Sequence, residues 1–252
     1  FRFLRMALLD SQSTVVWCLR GGYGAIRLLP DLNKIKKPKN EKYFIGLSDI
    51  TVINHFLIHS WGWSPIHGPV LSRVASSKKR QKDYDELFDL LHQKISQVSF
   101  KKLKPINPAA LKLKKGQKIR SKILGGNLTT FCSLLGTEIC PTKIKEKNYF
   151  LFFEDIAERG YKVDRMLQQL RQAGVFKRCK GVFLGQFIQS EESNGKNLVP
   201  KTLKNFFEQE KFPVFQGIDS DHSEKQRPVI LNSPAVFENN GNNCLVIKAE
   251  RK

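Results

Sequence analysis

Three side chains of types that cooperate in nucleophilic hydrolysis stand at the ends of strand-like runs. Ser48 follows Phe44-Ile45-Gly46-Leu47, Glu154 follows Tyr149-Phe150-Leu151-Phe152-Phe153, and His222 follows Gly217-Ile218-Asp219-Ser220-Asp221. A weak hydroxyl nucleophile needs an imidazole to take its proton. The imidazole in turn needs a carboxylate to fix its tautomer and stabilise the imidazolium. The chain supplies one of each, and their order decides nothing, because such triads assemble in several chain orders. Glu158 is the rival carboxylate, with Asp155, Asp219 and Asp221 as weaker rivals.

The setting of Ser48 allows two readings. A serine at a strand-to-helix turn has its hydroxyl pushed clear of the backbone, and the helix N-terminus behind it favours developing negative charge. Ser48-Asp49 also reads as an ordinary helix cap, since both are preferred N-cap types. Upstream, Arg20-Gly21-Gly22-Tyr23-Gly24 holds three glycines in four positions. Such a loop lets backbone N–H groups approach a ligand, or makes a plain tight turn. His55 and His59 are four apart on a helical stretch, but no acidic or cysteine ligand stands at a matching spacing, so surface or half-buried histidines are the better reading than a metal site.

The elements that must position these groups alternate. Strands are expected at 14–19, 43–47 and 66–71, with helices at 1–10, 25–32 and 50–60. The second half offers strands at 119–124, 149–153, 181–187, 212–215, 228–231 and 244–248, with helices at 127–135 and 162–173. Alternation of this kind predicts an α/β protein with a parallel sheet, in which ligands sit at the C-terminal strand ends. The glycine loop and Ser48 both occupy such ends. The basic, proline-punctuated stretch 76–118, with one amphipathic helix at 83–95, reads as a linker between an N-terminal domain at 1–75 and a C-terminal domain at 119–252. The opening residues already read as the middle of a helix, which predicts that chain precedes Phe1.

Composition bounds the rest. The 252 residues, 40% hydrophobic, are enough for one large or two modest domains with a proper core. No stretch reaches the roughly 18 apolar residues of a membrane span, and the opening residues lack the basic region, apolar core and small-residue cleavage site of a signal peptide. Five scattered cysteines without a Cys-x-x-Cys pair fit free thiols in a reducing cytoplasm. The net charge of +20 gathers at 34–42, 78–82, 101–104, 112–122, 143–147 and 177–180. These clusters fall in loop-like stretches without interleaved aromatics, so they read as solvated surface rather than a nucleic-acid footprint.

The strings Cys18-Leu19-Arg20-Gly21-Gly22-Tyr23-Gly24 and Ile45-Gly46-Leu47-Ser48-Asp49-Ile50-Thr51 resemble the signature blocks of the LD-carboxypeptidases, the muramoyltetrapeptide carboxypeptidase group of serine peptidases. The likeness continues in order through His67-Gly68-Pro69, Gly125-Gly126-Asn127-Leu128, Phe153-Glu154-Asp155 and Asp164-Arg165-Met166-Leu167, nearly the whole chain. It implies a parallel-sheet N-terminal domain and a swivelling β/α/β-like C-terminal domain, with the family's first elements absent before Phe1. It also implies Ser48 as nucleophile, His222 as general base and Glu154 as orienting carboxylate, with an oxyanion hole from the N–H groups of Asp49 and Gly22. Three departures stand out: the absent first elements, Leu47 where an aromatic is common, and Asp219-Ser220-Asp221 where a glycine usually adjoins the histidine.

The implied reaction is release of terminal D-alanine from a cytoplasmic murein tetrapeptide during peptidoglycan recycling, by a homodimer without metal or cofactor. The alternative within the resemblance is a related hydrolase that inactivates peptide-nucleotide antibiotics. The competing class is a non-catalytic binding protein in which Ser48 only caps its helix.

Overall fold

The apolar runs fold into two sheets. A computed structural model describes residues 1–75, 81–223 and 225–249, without the side chains of 74, 75 and 81–83. The first part of the chain carries α1 (Arg2–Leu9), β1 (Val15–Trp17), α2 (Leu29–Leu32), β2 (Tyr43–Ile45), α3 (Thr51–Phe56), β3 (Ile66–His67), α4 (Leu71–Ala75) and α5 (Gln81–Leu91). Then come β4 (Gln97–Phe100), β5 (Lys104–Pro105), α6 (Pro108–Leu111), β6 (Lys118–Asn127), α7 (Leu128–Cys132), β7 (Tyr149–Ile156) and α8 (Gly160–Gln172). The chain continues with β8 (Cys179–Ile188), α9 (Val199–Phe207), β9 (Val214–Gln216), β10 (Val229–Ile230), β11 (Pro234–Glu238) and β12 (Cys244–Lys248).

The smaller sheet has the order β1-β2-β3-β10, parallel except for β10. The larger runs β4-β12-β11-β6-β7-β8-β9-β5, with β6 to β9 parallel and antiparallel strands outside them. Its centre is β7, buried from Tyr149 to Asp155. A strand covered on both faces must be apolar throughout, which is why this run does not alternate. Phenylalanines fill the layer beside it: the Phe215 and Phe237 rings stack at 4.4 Å and Phe150 meets Phe183 edge-on at 5.2 Å. Each such burial is worth about 1.5–3 kcal/mol.

The two units join where α3 lands on the end of β6. Gly125 and Gly126 both have positive φ; a Cβ on Gly125 would stand 1.9 Å from Phe152 O, and one on Gly126 would stand 2.6 Å from Thr51 Oγ1. Only glycine lets the strand end lie this close to both neighbours. The contact is completed by Asn127 N, which donates to Thr51 Oγ1 at 3.2 Å, and by His55 Nε2, 3.0 Å from Gly125 O. Here His55 is a buried packing and hydrogen-bonding residue, edge-on to Phe131.

From Gln81 onward, the stretch expected as a linker is structured. β4 pairs with β12 and β5 with β9, so residues 97–105 supply both edges of the larger sheet. Val98 and Phe100 alternate inward to anchor β4, and Pro105 is tolerated because an edge strand need not donate on its outer side. In return, β10 crosses from the second half to pair with β3. The helix expected at 83–95 spans Gln81–Leu91, and the side chains of the basic cluster at 78–82 lie outside the described residues. The helix expected at 25–32 divides into a 3-10 turn, Ala25–Leu28, and α2. Among the described residues no helix is long and apolar enough to cross a membrane.

Candidate active site

Ser48 opens a 3-10 turn directly after β2 and adopts φ +68°. A non-glycine residue in the left-handed region costs about 1–2 kcal/mol. That strain turns the side chain out of the strand-to-helix path. The turn's N-cap is Leu47, without a side-chain cap, and Ser48 Oγ makes no hydrogen bond among the described residues. Ser48 therefore does not cap its own helix.

The neighbouring carboxylate caps a different element. Asp49 Oδ2 accepts from Ala25 N at 2.8 Å, at the start of the 3-10 turn that follows the glycine loop. The loop itself lies against the serine: a Cβ on Gly21 would stand 2.7 Å from Ser48 Cβ and 3.1 Å from Ser48 Oγ. Gly21 is the glycine that makes this contact. Gly22, at φ +145°, has open space where its Cβ would be, and its N–H follows one peptide bond after the contact.

Glu154 and His222 meet on the facing unit. Glu154, fully buried at the end of β7, accepts through Oε2 at 2.6 Å from His222 Nδ1, while Oε1 has no partner among the described residues. Burial disfavours the Glu154 carboxylate and the imidazole offsets part of that penalty. For His222, burial alone would lower the pKa, but the hydrogen bond and charge of Glu154 outweigh it and the net shift is upward. An imidazole whose Nδ1–H is held by a carboxylate presents Nε2 as the proton acceptor.

The rival carboxylates are otherwise engaged. Asp155 accepts from Asn127 Nδ2, Thr129 N, Thr129 Oγ1 and Ile156 N, tying the start of α7 to the end of β7. Glu158 pairs with Lys162 at 3.2 Å on the surface, and Asp219 with Lys225 at 3.5 Å. Asp221 accepts from Gln186 N and Ser223 N, so it shapes the His222 loop, which a Ser220–Gln226 bridge closes.

The two halves are registered by a short path. Ser48 lies three residues before Thr51, Thr51 Oγ1 holds Asn127 N, and Asn127 is the β6 neighbour of Glu154 across the sheet. The Ser48 turn and the Glu154–His222 pair thus stand at strand ends of two sheets packed together. Among the described residues no group of histidine, cysteine and acidic side chains is arranged to hold a metal ion.

Residues 2–68 match the N-terminal domain of the LD-carboxypeptidases and residues 120–237 their C-terminal domain. A putative carboxypeptidase of Rickettsia conorii is 37% identical over 92% of this chain and 70% of its own length. The chain belongs to the LD-carboxypeptidase family. The murein tetrapeptide carboxypeptidase of Pseudomonas aeruginosa is 26% identical, over 90% of this chain and 73% of that protein. The crystal structure of muramoyltetrapeptide carboxypeptidase from Oxalobacter formigenes superposes with a TM-score of 0.82 at 26% identity, covering 99% of this chain and 84% of that one. Membership makes this chain a serine-type LD-carboxypeptidase.

Two of the chain's departures from the family pattern have a local setting here. Leu47 is buried and extended at φ −134°. Ser220 and Asp221 are fully buried beneath the His222 loop, where Asp221 satisfies two backbone N–H groups. Sequence reading missed the reach of Asp49 to Ala25, and nothing local signals a cap made across 24 residues.

Proposed function

We propose that this LD-carboxypeptidase releases terminal D-alanine from murein tetrapeptides in the cytoplasm, as a homodimer serving peptidoglycan recycling. Ser48 Oγ attacks the carbonyl of the L,D bond as His222 Nε2 takes its proton. Glu154 stabilises the imidazolium that results. The N–H groups of Asp49 and Gly22 hold the oxyanion, and His222 then returns the proton to the departing D-alanine amine. Water hydrolyses the acyl-serine by the same proton route in reverse.

The observation that carries this reading is the 2.6 Å Glu154–His222 pair packed against the unit that bears a left-handed, unbonded Ser48. The relatives named for murein tetrapeptides support the substrate, and five free cysteines fit a reducing compartment.

The test is D-alanine release from a murein tetrapeptide, beside the pentapeptide, a peptidyl sulfamoyl nucleotide and the Ser48→Ala variant. Release from the tetrapeptide alone, lost in Ser48→Ala, is expected. Cleavage of the nucleotide conjugate alone would move the assignment to the antibiotic-inactivating hydrolase, and no turnover of either would leave a binding protein. Light scattering of the purified protein reads the dimer.

A further inference from the structure

The loop that carries His222 is held from two sides. On its own unit Asp221 ties it to Gln186 N on β8. From the other unit comes Arg73 on α4, whose Nη1 donates to His222 O at 3.0 Å and to Ser223 O at 2.9 Å. One guanidinium nitrogen bridging two successive carbonyls fixes the direction of the chain at the residue that bears the imidazole.

The helix that supplies Arg73 is itself tied to the glycine loop. Leu71 N donates to Cys18 O at 3.0 Å and Ser72 N to Leu19 O at 2.9 Å. These carbonyls belong to the two residues before Arg20-Gly21, and Gly21 is the residue in contact with Ser48. A continuous chain of bonds therefore runs from the Ser48 side, through the root of the glycine loop and α4, to the backbone of His222.

We propose that Arg73 is a positioning residue that locks the base-bearing loop of one unit to the serine and glycine loops of the other. The proposal rests on the catalytic reading of Ser48 and His222. In that reading Glu154 sets the rotation of the imidazole, whereas Arg73 sets where its backbone stands relative to the nucleophile. A lysine in its place keeps the charge but ends one bond short of the position of Nη1, so charge and placement can be separated.

Among the described residues the groups that act on His222 are Glu154 and Asp155 from β7, His67 from β3 and Arg73 from α4, with Asp221 beside it in its own loop bonded to Ser223 N. Burial keeps His67 neutral, with a pKa near 3. Arg73 is the cation of this set and opposes protonation of His222.

The experiment compares Arg73→Lys and Arg73→Gln in the full chain, with folding checked by circular dichroism. Both variants are expected to lose about 10- to 100-fold in kcat with KM within about twofold, the signature of a displaced catalytic group. The acid limb of kcat/KM moves to higher pH in Arg73→Gln and stays in Arg73→Lys. Parent-like kcat in both variants overturns the proposal, as does a rise in KM at unchanged kcat, which would make Arg73 a substrate ligand. If the parent protein releases no D-alanine, the functional reading fails on its own. The backbone amide shifts of residues 221–223, followed by NMR, then still decide: unchanged shifts in both variants overturn the link, and displaced ones support it.

Discussion

Glu154 Oε2 and His222 Nδ1 stand 2.6 Å apart, with the carboxylate fully buried and the imidazole side chain 9% exposed. A carboxylate this dry is costly unless it is partnered, and the imidazole is the partner that its Oε2 has. The pair is therefore coupled: whatever changes one changes the proton affinity of the other.

That coupling sets a pH profile. His222 must be neutral to accept the serine proton, and its pKa lies above the ordinary 6.5, so kcat/KM should fall on acidification with a midpoint above 6.5. Glu154→Gln removes the main influence that raises it, leaving Asp155 to act upward against burial and Arg73, which both act downward. The acid limb should move to lower pH while kcat drops about 10³- to 10⁴-fold, since the tautomer is no longer fixed. Initial rates from pH 5 to 9 check both; an unmoved limb in Glu154→Gln would break the assignment.

Ser48 stores backbone strain that two substitutions separate from chemistry. Ser48→Ala and Ser48→Gly should each lose about 10⁴- to 10⁶-fold in turnover. Only glycine relieves φ +68°, so Ser48→Gly should be more stable than Ser48→Ala by about 1 kcal/mol. Thermal melts of the two variants read this; equal midpoints would mean the turn is unstrained.

Much of this was legible in the residues, and the exceptions share a cause. The continuous run from Tyr149 to Phe153 demanded a doubly covered strand, and its end placed Glu154 where a ligand-binding edge should be. What stayed hidden is pairing between distant, locally weak segments. β5 is a lysine and a proline, and β4 is four residues, so neither carries enough pattern to announce an edge strand. Arg73 is one of 43 lysines and arginines, and nothing in its neighbourhood foretells two carbonyls some 150 positions away. Asp49 looked like a cap for its own helix because local patterns describe only bonds a few residues long.

The charge of +20 gives a separable prediction about substrate capture. A murein tetrapeptide carries several carboxylates, and a strongly positive protein attracts it over distances near the Debye length. KM should rise as sodium chloride is raised from about 0.02 to 0.5 M, where that length shrinks severalfold, with kcat nearly constant. A flat KM would show that the lysine clusters are solvated surface without a steering role.

Gly21 tests whether the glycine loop works by contact with the serine or only by its own flexibility. Its φ is not in the left-handed region, so alanine is sterically free in the backbone, yet the new Cβ would meet Ser48 Cβ at 2.7 Å and Leu47 O at 3.3 Å. Real Cβ contacts do not come this close, so either the loop or the Ser48 turn must shift. Asp49, which anchors the far end of the loop through Ala25 N, resists movement of the loop as a whole. Gly21→Ala should therefore lower kcat about 100-fold, as misplacement by about 1 Å can, and cost about 1–3 kcal/mol in stability as an overpacked contact. Asp49→Ala, which frees the anchor at a cost of about 0.5–2 kcal/mol, should partly restore turnover to Gly21→Ala if the N–H of Asp49 remains in place. A double variant no more active than Gly21→Ala would place the obstruction at Ser48 itself.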